Sequence, residues 1–274
     1  MSLHPFVRRA LPLVALAAAA ALWQAPARSD GDAKKAEEPK KADADADAKA
    51  EGAKPSADAA TPRVSITSDG KTHRCARQKA QDFLIRGNWF PRTNDAEAQK
   101  KGRQLLQDAI RYRTEKYGYF PGFGSAKLNA HAPKHYAEST SFMGMTVTVN
   151  KRIIPALKCV EADLKATGAH AEYHPKAMGG IRFKNTYRGV EVSNHVYGIA
   201  IDIEPNLNTC CGCVKPWNEH PLCKKKVKSV YERMAMPESW VHAFERYGFY
   251  WLGHDVLQDT MHFEFLGDPD KILE

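Results

Sequence analysis

The apolar residues of this chain fall into distinct patterns, and each predicts a different kind of segment. Ala10 to Trp23 is a continuous apolar run of fourteen residues behind Arg8 and Arg9, followed by the small-x-small step Ala25-Pro26-Ala27. Spanning a bilayer takes ~20 apolar residues, so the run reads as the core of a secretory signal over 1–27. Residues 28–63 contain no Val, Ile, Leu, Met, Phe, Trp or Tyr. With nothing to bury they cannot offset the entropy of ordering, and a disordered Ala/Lys/Asp-rich linker is expected. Periodic patterning begins at 64 and continues to 274, a length that suits one sizeable core.

Within that stretch, Leu105, Leu106, Ile110 and Tyr117 recur near helical spacing. They predict a helix over 94–117, capped by Asn94 and closed by Gly118. A Gly/Pro/aromatic loop follows at 117–129. The alternating segment 145–149 (MTVTV) predicts a strand. Ile153, Leu157, Val160 and Leu164 then mark one face of a helix that starts or kinks near Ile154, because of Pro155, and ends at Gly168. Short strands are expected at 180–184 (GIRFK), 198–203 (GIAIDI) and 261–265 (MHFEF). Pro237 is expected to start a further helix that Gly248 ends. Helices and short strands intermix without a βαβ rhythm, which makes the class α+β. The expected division is an N-terminal helical extension over 64–144, packed on a domain over 145–274.

Charge and cysteine content narrow the setting. The chain carries 40 Lys and Arg against 32 Asp and Glu. Ten of those basic and nine of those acidic residues lie in 1–63, leaving about +7 beyond it. That balance fits a polyanionic cell wall. No nucleic-acid motif is present, and membrane contact is expected only through the signal segment. All six cysteines, Cys75, Cys159, Cys210, Cys211, Cys213 and Cys223, lie beyond the linker. An even count in an exported chain favours disulfides, with 15 possible pairings. A disulfide-stapled loop is preferred for 209–224; a thiolate zinc site is the alternative reading.

Two segments carry candidate chemistry: Ser193-Asn-His-Val-Tyr-Gly-Ile-Ala-Ile-Asp202 and Asp259-Thr-Met-His-Phe-Glu264. Strand alternation places Ile199, Ile201 and Ile203 on one face, and Ala200 with Asp202 on the other. In the second segment Met261, Phe263 and Phe265 form the apolar face, opposite His262 and Glu264. His195 precedes its strand in a loop able to fold back toward Asp202. His195, Asp202 and His262 thus form a set of zinc donors with an open fourth position, the arrangement of a catalytic rather than a structural zinc. Asp259 is the candidate proton carrier and must sit in the turn before the strand, since in regular alternation it would face away from His262. Glu264 suits the partner that a ligated histidine needs on its other nitrogen. Eleven histidines make chance spacing a real danger, but five relevant residues at fixed offsets beside strand-like alternation outweigh it.

The pattern SxHxxGxAxD followed by DxxHFE resembles the D-alanyl-D-alanine carboxypeptidase and L-alanyl-D-glutamate endopeptidase group of zinc peptidases. That group includes phage endolysin endopeptidases and vancomycin-resistance dipeptidases. The resemblance covers about 145–268. It implies a small antiparallel sheet flanked by helices, of the hedgehog/D-Ala-D-Ala-peptidase type, one catalytic zinc, and peptidoglycan stem peptides as substrate. Carried over by position, His195, Asp202 and His262 resemble the metal ligands and Asp259 the general base. Arg182 resembles the arginine that polarises the scissile carbonyl, with Arg188 close by in sequence. Ser193 and Trp251 resemble substrate-supporting positions. The family's WGGDW-like stretch reads WLGHD here, and the cysteine-rich loop lies outside the common pattern. The expectation is an exported, periplasmic or secreted monomer that cleaves wall peptides. A zinc-containing wall-binding module without catalysis, and a disulfide-stabilised structural protein without metal, are the competing readings.

Overall fold

A computed structural model describes residues 61–187 and 191–274. The expected signal segment, the linker as far as residue 60, and Arg188 lie outside the described residues. No helix among the described residues is long and apolar enough to cross a membrane.

The described chain opens with a hairpin, β1 (Ser65–Ser68) and β2 (Lys71–Arg74), then the long helix α1 (Ala96–Tyr117). The α1 cap is Asp95, one residue later than expected, whose side chain accepts from the Glu97 amide. A second hairpin joins β3 (Ala137–Phe142) to β4 (Met145–Asn150). Its two-residue turn, Met143-Gly144, has both residues at positive φ (50° and 81°), the geometry that matches strand twist. The expected 144/145 boundary falls at the end of this turn. Helix α2 (Ile154–Thr167) follows a 3₁₀ turn, with Pro155 in its first turn and Gly168 in the left-handed region at its end.

Strands β5 (Met178–Gly179), β6 (Ala200–Ile203), β7 (Phe249–Trp251) and β8 (His262–Phe265) form an antiparallel sheet in the order β5-β6-β8-β7. A one-turn helix, α3 (Asn194–Tyr197), enters β6, and α4 (Glu238–Arg246) precedes β7. Pro237 stands just outside α4 as its cap rather than within its first turn. The mixture of helices with small antiparallel sheets is the α+β class expected.

The strand expected at 180–184 does not form. The ladder ends at Gly179, and the chain then crosses to other partners. Ile181 N donates to Thr148 O at 2.8 Å, and Arg182 N donates to His195 O at 2.9 Å. Gly180 permits the crossing, since a Cβ there would meet Thr148 O at 2.1 Å.

Ile201, Ile203, Phe263 and Phe265 turn into the core, where Phe263 stacks on Phe244 of α4 with ring centroids 4.3 Å apart. The Cys75–Cys159 disulfide ties the end of β2 to α2. A smaller cluster, centred on Leu84, Trp89, Leu106 and Ile110, packs α1 against Leu266 just after β8. The opposite face of the sheet carries Asp202, His262 and Glu264. It too is buried, as the floor of a cleft rather than as a solvated surface.

Candidate metal centre and its cleft

His195 lies in α3 rather than in an open loop. Ser193 caps that turn, its Oγ accepting from His195 N at 3.4 Å, and Gly198 at φ 70° ends it. The capped turn aims the imidazole at β6. Its Nδ1 sits 2.7 Å from Gly180 O. A carbonyl only accepts, so Nδ1 carries the proton and Nε2 presents a lone pair.

Asp202 and His262 are cross-strand partners in the β6–β8 ladder. His262 Nε2 lies 3.1 Å from Glu264 Oε1, which leaves Nδ1 to face Asp202. His262 Nδ1 is 2.7 Å from Asp202 Oδ1, and His195 Nε2 is 3.2 Å from both. Ligand atoms around a tetrahedral zinc with bonds of ~2.0–2.1 Å sit roughly 3.3 Å apart. The three side chains therefore already hold their donors near the spacing a zinc ion needs.

The electrostatics agree with the spacing. His195, Asp202 and His262 are 1%, 6% and 4% exposed. Burial opposes charge on His262, but hydrogen bonds to Asp202 and Glu264 outweigh it and raise its pKa well above the usual histidine range. Burial likewise opposes ionisation of Asp202, and the two histidines overcome it and hold that carboxyl low. Two buried carboxylates thus call for positive charge between them. A proton on His262 supplies it in one form. A divalent cation supplies it with both imidazoles neutral.

Asp259 occupies the turn before β8, backbone-paired with Cys210 as an isolated antiparallel bridge. Burial pushes its carboxyl up to about 6; His262 opposes the shift, while Asp202 and Glu264 add to it. Its Oδ1 is buried without a hydrogen-bond partner. The turn is braced from two sides. Thr260 N and Oγ1 both donate to Thr209 O at 2.9 Å, and Trp251 Nε1 donates to Thr260 O at 3.0 Å. Gln258, at φ 46°, holds a conformation that an L residue adopts at a cost.

The bracing segment, Thr209 and Cys210, belongs to the cysteine-rich loop. Cys210 pairs with Cys213 and Cys211 with Cys223. All six cysteines are therefore in disulfides, and the thiolate-zinc alternative for 209–224 has no free sulfur to use. This loop forms one wall of a cleft of about 800 Å³ that contains His195, Asp202, His262 and Asp259. Arg182 stands on the rim, half-exposed, with Nη2 on Asp202 Oδ2. Arg86 lines the cleft and pairs through Nε, at 2.9 Å, with both carboxylate oxygens of Glu191. It had no sequence signal, because only the fold brings residue 86 beside 191.

Ser193 reaches the cleft, but its hydroxyl is used as the α3 cap. Trp251 is fully buried and stacked on Tyr231 at 5.0 Å. It offers no face to a substrate and acts from beneath the 259–262 turn. His254 pairs with Glu245 at the surface, and His242 does the same. Sequence reasoning also passed over Arg113 and Asn194, both buried beside the centre. The one available signal was a charged residue on the apolar stripe of α1.

Residues 187–265 match a family model described as D-alanyl-D-alanine carboxypeptidase, which supports the resemblance carried by the two motifs. No curated protein and no solved structure matches the chain.

Proposed function

We propose that this protein is an exported zinc peptidase that hydrolyses peptide bonds in the stem peptides of peptidoglycan, as a D-Ala-D-Ala carboxypeptidase or an L-Ala-D-Glu type endopeptidase. The observation that carries the reading is the convergence of His195 Nε2, Asp202 Oδ1 and His262 Nδ1 within 2.7–3.2 Å of one another, in a cleft that also holds Asp259. The family match supports peptidase chemistry on this segment. Three disulfides fit an oxidising compartment outside the cytosol.

His195, Asp202 and His262 would hold the zinc. Bound there, zinc would supply Lewis acidity toward water and the scissile carbonyl. Gly180 O and Glu264 fix the two imidazoles so that their lone pairs stay directed at the ion. Asp259 would take the proton of the attacking water and deliver it to the leaving amine. Arg182, on the open side of Asp202, would draw the carbonyl oxygen toward positive charge. Arg86 and Glu191 place one charge of each sign on the same wall, where a peptide carrying both carboxylate and ammonium groups would meet them.

The test is digestion of purified muropeptides by the zinc-loaded protein, with products identified by mass spectrometry. Loss of a terminal D-Ala or cleavage at L-Ala–D-Glu is expected, and chelation should abolish it. Zinc binding with no product from any muropeptide would overturn this reading and favour the wall-binding module.

A further inference from the structure

Residues 64–144 lie outside the matched segment, yet they place one charged side chain against the metal centre. Arg113 projects from the buried face of α1 and is 1% exposed. Its guanidinium lies between the rings of Trp89 and Tyr197, each centroid 5.0 Å away. It makes no ion pair with a described residue, and Nη2 is buried without a hydrogen-bond partner. A cation so enclosed is costly and persists where its remaining contacts require it.

Nε donates to Ala109 O on its own helix at 3.3 Å, and the other hydrogen bonds lead to the metal centre. Nη1 donates to Val192 O at 3.1 Å and to Asn194 Oδ1 at 3.0 Å. Both acceptors lie just before His195, so Arg113 fixes the entry to α3. His195 Nε2 in turn meets Asp202 Oδ1 and His262 Nδ1, each at 3.2 Å. One chain of contacts therefore runs from α1 through Val192 O and Asn194 into the turn that carries His195.

We propose that Arg113 is a positioning residue for the metal centre, acting through Val192 O and Asn194 on the turn that carries His195, and that the 64–144 segment is thereby a working part of the zinc site. The inference rests on the zinc reading above. It assigns α1 a purpose beyond packing: the helix carries the charge that fixes the turn bearing His195.

The experiment is a zinc titration of the apo full-length chain against a chromophoric chelator, with melting temperature recorded in parallel. The wild type is expected to bind one equivalent. Arg113→Met and Asn194→Ala should each weaken zinc about 10- to 100-fold, the range seen when an outer partner of a ligand is lost. The double variant should be no weaker than the worse single one, since both cut the same path. Leu106→Ala, on the same helix, should lower the melting temperature but leave zinc affinity within twofold. Zinc affinity that is unchanged or tighter in Arg113→Met, additive losses in the double variant, or an equal loss in Leu106→Ala would each overturn the proposal. If Arg113→Met does not fold, Asn194→Ala decides alone, a loss of affinity supporting the inference and its absence overturning it. A wild type that binds no zinc refutes the metal reading itself, which separates the two failures.

Discussion

Asp202 and His262 face one another across the β6–β8 ladder, with Oδ1 and Nδ1 2.7 Å apart. Pairing of the two strands in this register puts two metal-capable side chains side by side without any loop to place them. A shift of one residue would turn His262 into the core and Phe263 into the cleft. His262→Ala should therefore leave the strand paired but remove the centre. We expect zinc content by elemental analysis to fall below a tenth of an equivalent and muropeptide hydrolysis to fall by at least about 10³-fold. Full activity in this variant would end the zinc reading.

Asp259 lies outside the donor set, so its replacement separates metal binding from proton transfer. Asp259→Asn should keep one zinc and lower kcat by roughly 10²–10⁴-fold, the usual contribution of a positioned general base. Loss of zinc together with activity would instead make Asp259 part of the metal's own support.

Thr260 links the Asp259 turn to the cysteine-rich loop through two hydrogen bonds to Thr209 O. Thr260→Val keeps the shape and removes the hydroxyl bond. Stability should fall by about 0.5–1.5 kcal/mol, the net worth of one hydrogen bond, because Thr209 O keeps the Thr260 amide as its donor. Because displacements near 1 Å at a reacting centre can cost ~10²-fold, kcat should fall by roughly 10- to 100-fold with KM little changed, while Thr260→Ser restores both. An unchanged kcat would show that the loop does not aim Asp259.

The Cys75–Cys159 disulfide closes a loop of 84 residues far from the cleft. Replacing both cysteines by serine should cost on the order of 4 kcal/mol by chain-entropy reasoning, seen as a lower melting temperature. Zinc affinity of the folded variant should stay the same. A loss of zinc without a loss of stability would contradict this assignment.

Glu245 and His254 give a small pH signature. Burial raises the Glu245 carboxyl, but hydrogen bonds to His254 and His242 outweigh it and lower its pKa. The same contact with Glu245 raises His254 against the burial that lowers it. The Glu245 contribution is present above the ordinary carboxylate pKa and is lost as pH falls through its lowered value. The His254 contribution is present below the ordinary histidine pKa and is lost as pH rises through its raised value. The pair is thus strongest between those limits. Both groups are partly exposed, so the gain is well under 1 kcal/mol. His254→Asn should flatten the melting temperature between pH 5 and pH 8 by no more than about 2–3 °C.

Much of the centre was legible in the sequence because strand alternation has a fixed period of two. Alternation put Asp202 and His262 on the face opposite the core isoleucines and phenylalanines, and it forced Asp259 into a turn. Helix ends were also readable, since Gly118 and Gly168 stand where a left-handed or otherwise non-helical backbone is needed. The expectation of a strand at 180–184 failed because its backbone partners come from β4 and α3 instead of the sheet. Local alternation carries no information about which neighbour a segment meets. Trp251 resembles a substrate-supporting position by motif, while its residue type favours core packing. Its burial depends on Tyr231 and Thr260, which approach it only in the folded chain.

By itself, then, the sequence determined the α+β class and the candidate donor residues with the faces they occupy. Those follow from local backbone geometry, in which each residue's direction is fixed by its neighbours along the chain. Tertiary structure alone decided the disulfide pairing, the β6–β8 register that brings Oδ1 to Nδ1, and the contact of Arg86 with Glu191. It also decided that Arg113, 81 positions before Asn194, would reach the turn that carries His195. Such relations depend on which surfaces exclude water together, and no local period encodes that.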